Sequence, residues 1–355
     1  MAGRADHIHE ALPNKIVCVE NSSQGDYSAE LSETGPPSVP DETSEGASSW
    51  KVEMKWYQKL VLWILCQGSC PRHVAFLPDG NRRYSRRKGI PLVQAYGETV
   101  RNLMLMCDWL LRLNIRNITT FLISTRNVNR SSDELEAMLK TTDRFCSRTI
   151  CNINGFQQRG LRHRWVGELE SLPDELSTKA AQLELGTSGI IENATCTFCI
   201  VHNSKRLLNR MAGELARAVR KGVIRTEDIT SGLIDDYLAI AEVPECDLWF
   251  RSSGEVRFSE LIAIQSGYAY VHFEPKLWLS VRFWDFVQAI LAFQIHWPSI
   301  KTIQKKHFEE QKSRSAYMDL DQTIRQRAFL RHVEVKRMEY IHQLSTGLHC
   351  KKREK

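Results

Sequence analysis

From His73 onward the chain alternates short apolar runs with stretches of helical period, and that alternation limits the fold more than any other feature. Strand-like runs occupy His73–Leu77, Ile118–Ile123, Arg164–Val166, Thr195–Val201, Asp247–Phe250 and Tyr268–Phe273. Between them the spacing predicts helices over Ala95–Leu113, Asp133–Ile150, Asp174–Leu185 and Leu207–Arg220, the last stopping at Gly222. The first of these places Val100, Leu103, Cys107, Leu110 and Leu111 on one face. Alternation of this kind predicts an α/β fold: a single domain with a central, mainly parallel six-stranded sheet flanked by helices.

In such sheets ligands bind beyond the carboxyl ends of the strands. Polar clusters should therefore follow the strands, and they do. Asp79-Gly80-Asn81-Arg82-Arg83 follows the first run, Ser124-Thr125-Arg126-Asn127 with Arg130 the second, and Arg251-Ser252-Ser253-Gly254-Glu255-Val256-Arg257 the fifth. An isolated Asp-Gly is an ordinary turn. Three phosphate-competent clusters on one sheet edge are hard to attribute to turns alone.

Each cluster has its own chemistry. Gly80 can take positive φ and bring backbone N–H groups close to an anion, with a helix starting near Arg82 pointing its positive end there. Arg82 and Arg83 suit phosphate, whereas the Asp79 carboxylate amid these cations suits a hard cation such as Mg²⁺, whose shell diphosphate oxygens and water complete. Arg251 and Arg257, on either side of a Ser-Ser-Gly turn, form a second phosphate site, with Glu255 either part of it or an internal partner of Arg257. Two diphosphate sites beside one metal suit a reaction in which diphosphate leaves one substrate as another attacks.

The flanks differ in character. Residues 1–50 are rich in Ser, Glu, Gly, Pro and Asp without periodicity and read as a disordered tail. Residues 51–70 hold Trp56, Tyr57, Leu60, Val61, Trp63, Ile64 and Leu65 among lysines, a pattern that fits an amphipathic helix in a membrane interface or one docked on protein. No run is long enough to span a bilayer. The net charge of +6 favours anionic partners but falls short of a nucleic-acid binder. Ten cysteines without a signal peptide read as thiols in a reducing compartment, and Cys196-Thr197-Phe198-Cys199 reads as core strand rather than a metal or redox pair. The basic Cys350–Lys355 run reads as a solvated tail, with a membrane-surface or retrieval signal as the alternative.

The runs His73–Tyr84, Ser124–Arg130 and Asp247–Ser259, in this order, resemble the signature blocks of the cis-prenyltransferases, and Leu277-Trp278 with Phe283–Phe286 extends the likeness. The similarity covers about Trp56 to Gln294 and is nearest to the eukaryotic dehydrodolichyl diphosphate synthase type. The resemblance implies condensation of isopentenyl diphosphate onto an allylic diphosphate such as farnesyl diphosphate, giving long-chain polyprenyl diphosphate for dolichol and protein glycosylation. It implies Mg²⁺ on Asp79, the allylic diphosphate held by Gly80, Asn81, Arg82, Arg83 and Arg130, and isopentenyl diphosphate held by Arg251, Arg257 and Ser259, with Ser124 and Asn127 orienting the pair. Leu103, Cys107, Leu110 and Leu111 become candidate liners of a product tunnel, against plain core packing.

Some positions depart from the family pattern. Glu98 stands where it has His, Arg126 where it has Glu, Val128 where it has an aromatic residue, Lys205 where it has Arg, and Tyr270 where single-subunit bacterial members place a metal-linked Glu. The first two are either a compensating charge exchange or a mark of altered chemistry. These departures keep open a terpenoid synthase of changed outcome (short-chain, branching or cyclising), and a non-catalytic scaffold is the remaining alternative. The last five residues, Lys351 to Lys355, lack the family's terminal Arg-x-Gly motif, so the resemblance implies a Nogo-B-receptor-like accessory subunit. Residues 299–355, with Phe308, Tyr317, Met318, Leu320, Ile324 and Leu330, are expected to form a helical extension beyond the 71–298 domain, suited to that partner. The implied location is the endoplasmic reticulum membrane, peripheral on its cytosolic face.

Overall fold

The computed structural model describes residues 54–259, 264–315 and 320–347. The expected tail over 1–50 and the basic Cys350–Lys355 run lie outside the described residues. In chain order the elements are α1 (Trp56–Leu65), β1 (His73–Leu77), α2 (Asn81–Lys88), α3 (Leu92–Arg112), β2 (Asn117–Ser124), α4 (Thr125–Val128), α5 (Ser132–Cys151), α6 (Ile153–Gln158) and β3 (Leu161–Gly167). There follow α7 (Asp174–Gly186), β4 (Ala194–His202), α8 (Ser204–Arg220), α9 (Ser231–Ala241), β5 (Leu248–Arg251), β6 (Tyr270–Phe273), α10 (Phe283–Ser315) and α11 (Leu320–Ser345).

The six strands form one sheet in the order β3-β4-β2-β1-β5-β6, and every neighbouring pair is parallel. Because strand side chains alternate between faces, both faces need a cover. Val74, Phe76, Ile118, Trp165, Phe198, Ile200, Leu248 and Phe250 enter the large core with Leu103 and Met106 of α3, Phe145 of α5, and Phe286, Ile290 and Phe293 of α10. Ala75, Phe121, Val166, Cys199 and Trp249 face the other way, into a smaller core. A third cluster joins α8, α9 and α11 through Leu207, Met211, Leu233, Tyr237, Phe329 and Val333.

The same alternation separates Cys196 from Cys199. Three residues apart on β4, they face opposite cores, so the spacing is that of a strand and not of a ligand pair. Burial pushes the Cys199 thiol well above its ordinary value.

Helix α1 buries Leu62 and Leu65 and exposes Trp56, Leu60, Trp63 and Ile64. It is seated on α10: the Tyr57 ring stacks on Trp284 at 6.2 Å, and Gln294 Nε2 donates to the Leu65 carbonyl at 2.7 Å. On α10, Trp284, Leu291 and Ile295 are exposed as well. Among the described residues no helix is long and apolar enough to cross a membrane.

One sequence boundary changes. The 298/299 junction falls inside α10, which continues through Pro298, and the described residues form one compact unit, so the extension is part of the domain. Helix α11, expected to serve a partner, spends one face on its own chain instead, burying Phe329, Val333, Ile341 and Leu344. Arg325 forms a two-pronged pair with the buried Asp228 at 2.7 and 2.8 Å. Arg337 donates to Glu184 at 2.6 Å and to the Trp165 carbonyl at 3.2 Å. Leu320 and Ile324 at the start of α11 remain exposed.

Glu184 is fully buried, so its charge depends on Arg337 and on the Trp165 N–H that it accepts at 2.9 Å. Arg337→Ala is expected to cost about 3 kcal/mol, the range for breaking a buried ion pair. Urea unfolding measures it; a loss under about 1 kcal/mol would mean that the pair does not tie α11 to the sheet.

Candidate active site

Strands β1 and β5 are neighbours with Leu77 level with Arg251, so the loops that leave them meet. The Asp79 N–H donates to Ser252 Oγ at 2.9 Å, and Arg251 Nη2 donates to Asp79 Oδ2 at 3.0 Å. Asp79 Oδ1 accepts the Gly80 N–H at 2.7 Å. The Arg251 side chain is only 2% exposed, and Nη1 also donates to Ser259 Oγ at 2.6 Å and to the Arg257 carbonyl. Burial lowers the hold of this guanidinium on its proton, and the Asp79 carboxylate opposes that shift.

Gly80 caps α2 in the left-handed region, at φ 94°. A Cβ there would stand 2.7 Å from Leu277 Cδ2 and 3.0 Å from Ser253 Cβ. Both backbone and space therefore require glycine. Arg83 donates to the Ser253 carbonyl and to Glu255 Oε1, each at 3.3 Å, while Arg257 pairs with the other oxygen of Glu255. Glu255 thus bridges two arginines and is not a simple partner of Arg257. Asn81 Oδ1 accepts from Thr99 of α3 at 2.9 Å.

From β2, Ser124 donates twice to Asn127 Oδ1, through its N–H at 2.7 Å and its hydroxyl at 2.5 Å. This occupies the amide oxygen and leaves the amide NH₂ as donor. Arg130 Nε stands 3.7 Å from Glu134, and Arg82 Nη1 stands 3.6 Å from the same carboxylate.

All eleven residues singled out from the sequence (Asp79, Gly80, Asn81, Arg82, Arg83, Ser124, Asn127, Arg130, Arg251, Arg257 and Ser259) line one cavity of about 340 Å³. Arg86, Arg126 and Glu255 line it too, giving seven arginines against the two carboxylates of Asp79 and Glu255. Such a concentration of fixed positive charge demands a polyanionic guest. The residues also fit a magnesium ion: Asp79 offers a hard carboxylate at the wall of the anion cavity, with diphosphate and water to complete six oxygen ligands. Among the described residues no cluster of three or more His, Cys, Asp or Glu could hold a metal by itself.

A second, apolar cavity of about 40 Å³ adjoins the first and shares Pro78, Asn81, Tyr96, Phe121, Leu122 and Met138 with it. Its deeper lining is Thr99, Val100 and Leu103 of α3 with Thr141 and Thr142 of α5. Of the four expected tunnel liners only Leu103 is among them; Cys107 and Leu110 are buried in the core and Leu111 packs against it. The helical stripe of α3 faces the sheet, so most of it is ordinary packing.

The altered positions separate. Arg126 lines the cavity, but Glu98 accepts from Gln94 at 3.3 Å, one turn back along α3. Tyr270 lies against His296 at 5.2 Å between ring centroids, and Lys205 opens α8 with its N–H on Asn203 Oδ1 at 2.8 Å. Sequence reasoning missed Glu134; its only sign there is an acidic residue in the first turn of α5.

A parallel sheet with seven arginines and two carboxylates at one cavity beyond its carboxyl edge suits a polyanion-binding enzyme site, and known proteins define the class. The pattern of the undecaprenyl diphosphate synthase family matches residues 77–297. The chain belongs to this cis-prenyltransferase family. It is 27% identical to the human dehydrodolichyl diphosphate synthase complex subunit over 75% of this chain and 80% of that protein. It is 28% identical to the geranylgeranyl-diphosphate-specific tritrans,polycis-undecaprenyl-diphosphate synthase of Thermococcus kodakarensis over 67% of this chain and 89% of that protein. Lavandulyl diphosphate synthase from Lavandula x intermedia, solved in complex with dimethylallyl diphosphate, shares the fold, with a TM-score of 0.59 and 22% identity over 63% of this chain and 95% of that one.

Gly80→Ala is expected to cost about 1–3 kcal/mol for the forced backbone alone. Gly97, inside α3, has no atom within 4 Å of the site a Cβ would take, so Gly97→Ala should be neutral or stabilising by up to about 1 kcal/mol. Thermal melts of the two variants test the contrast, and equal effects would refute it.

Proposed function

We propose that this prenyltransferase condenses isopentenyl diphosphate onto an allylic diphosphate, with farnesyl diphosphate as the starter, to make a long-chain polyprenyl diphosphate of the dehydrodolichyl type. The observation that carries this is one cavity with two arginine sets meeting at Asp79. Gly80, Asn81, Arg82, Arg83 and Arg130 hold the allylic diphosphate, and Arg251, Arg257 and Ser259 hold the isopentenyl diphosphate. The allylic C–O bond breaks, the terminal methylene carbon of the second substrate bonds to the allylic carbon, and the positive charge left on the adjacent methyl-bearing carbon is discharged when the next carbon, C2, gives a proton to the departing diphosphate. Arginines fixed around the departing diphosphate stabilise its growing charge without reorganising, and the Asn127 NH₂ orients the reacting pair. Magnesium held on Asp79 and the diphosphates supplies further charge neutralisation.

The likeness to a subunit of a synthase complex supports a Nogo-B-receptor-like accessory subunit. The exposed apolar residues of α1 and α10, with Lys55 and Lys59 beside them, support seating on an anionic membrane surface, proposed as the cytosolic face of the endoplasmic reticulum. A second reading is favoured by one observation: the apolar cavity, about 40 Å³, is far smaller than the polar one and suits a short-chain or branched product.

Purified chain, with and without the accessory subunit, given Mg²⁺, farnesyl diphosphate and labelled isopentenyl diphosphate, decides between them by product length. Long products support the first reading, a product that stops at C20 the second, and no incorporation under either condition rejects both. Asp79→Ala is expected to lower kcat by about 10²–10³-fold, the scale of losing one preorganised electrostatic group, with substrate binding changed far less. Retained turnover would remove the metal role. Trp63→Ala with Trp284→Ala is expected to release the chain from vesicles containing anionic lipid in a flotation assay, and unchanged flotation would refute the membrane face.

A further inference from the structure

Arg82 and Arg130 reach the allylic side from different elements, α2 and the segment after α4, and nothing in their own backbones makes them converge. Seven guanidinium groups around one cavity repel one another, and the exposed Arg82 side chain is free to turn to water unless something holds it. Glu134 is placed to do so. Its carboxylate lies 3.6 Å from Arg82 Nη1 and 3.7 Å from Arg130 Nε, in the first turn of α5, where the helix dipole favours a negative charge.

Those separations exceed hydrogen-bond length, so the attraction is Coulombic and leaves the guanidinium N–H donors for a phosphate. Arg130 is approached at Nε, away from its two terminal nitrogens. Glu134 Oε2 is buried without a hydrogen-bond partner, and the side chain as a whole is 19% exposed, so its charge is only partly screened. Glu255 makes the contrast: it takes direct hydrogen bonds from Arg83 and Arg257 and uses up donors that phosphate would need.

We propose that Glu134 is a positioning residue that aims Arg82 and Arg130 at the allylic diphosphate without binding the substrate itself. This rests on the assignment of that side of the cavity to the allylic substrate. Removing the charge lets the two guanidinium groups part and weakens one diphosphate site only.

Glu134→Gln keeps the shape and removes the charge. In the full chain, with its accessory subunit where turnover needs one, KM for farnesyl diphosphate is expected to rise about five- to tenfold, equivalent to about 1–1.4 kcal/mol. KM for isopentenyl diphosphate should stay within about twofold and the melting temperature within a few degrees, while Glu134→Asp recovers part of the loss. Calorimetric titration with inorganic diphosphate and Mg²⁺ provides a readout that does not need turnover: one of two sites weakens and the other does not. Unchanged or tighter diphosphate binding overturns the proposal, the latter by showing that Glu134 competes with the anion. A rise in both KM values with a lowered melting temperature also overturns it, by reducing Glu134 to a structural helix residue. A wild-type chain that makes no prenyl product but loses one diphosphate site on Glu134→Gln would refute the proposed reaction and leave this role standing.

Discussion

The contact on which the site depends is the pair between Arg251 and Asp79. A guanidinium only 2% exposed is costly unless its charge and donors are met, and here Asp79, Ser259 and the Arg257 carbonyl meet its two terminal nitrogens, while the buried Nε has no hydrogen-bond partner. The pair joins the ends of two adjacent parallel strands that are far apart in sequence. It thereby fixes the Asp79 carboxylate relative to the loop that carries the second arginine set. Register does the rest: because Leu77 is level with Arg251, the loop after β1 must meet the loop after β5. The parallel sheet is thus a device for bringing a carboxylate and opposed cations to one edge, and both faces must be buried for it to exist.

The arginines are balanced by carboxylates in three different ways. Asp79 is hydrogen-bonded on both oxygens, to Gly80 N–H and to Arg251. Glu255 is hydrogen-bonded to Arg83 and Arg257 and must yield donors when an anion enters. Glu134 stands back from Arg82 and Arg130 and yields nothing. The site is therefore partly neutralised by its own carboxylates, which limits the self-repulsion of seven guanidinium groups without filling the cavity.

All six strands, and the convergence of the eleven candidate residues on one cavity, were legible in the sequence, because strand periodicity and turn chemistry are local and the edge rule places loops without further information. What was not legible depends on partners remote in the chain. The α11 face is consumed by Glu184, Asp228 and the core of α7 and α9, and its own pattern does not distinguish these from a second protein. Helix α9 has Gly232 near its start and a weak polar face, so its period is faint beside the flanking loops. Glu134 looks like any acidic residue in a first helical turn until α2 is folded against it. The tunnel liners failed for another reason: one apolar stripe on α3 serves both core and cavity, and only the packing of α5 decides which residues face the gap.

That packing also bears on what the site can make. Thr141 and Thr142 of α5, which line the apolar cavity, turn their hydroxyls back to the carbonyls of Ala137 and Met138, at 2.8 and 2.9 Å, which satisfies them without water. The gap between α3 and α5 is therefore dry in character although small in volume. Widening it requires the two helices to separate at the contacts of Val100 and Leu103 with Phe121, Leu122 and Met138, which are apolar. The size of the apolar cavity is thus a weaker constraint on product length than the charge pattern is on the diphosphate. The arginines and their carboxylates are fixed by direct contacts across the sheet, whereas the helices beside the tunnel are held apart or together by whatever apolar group lies between them.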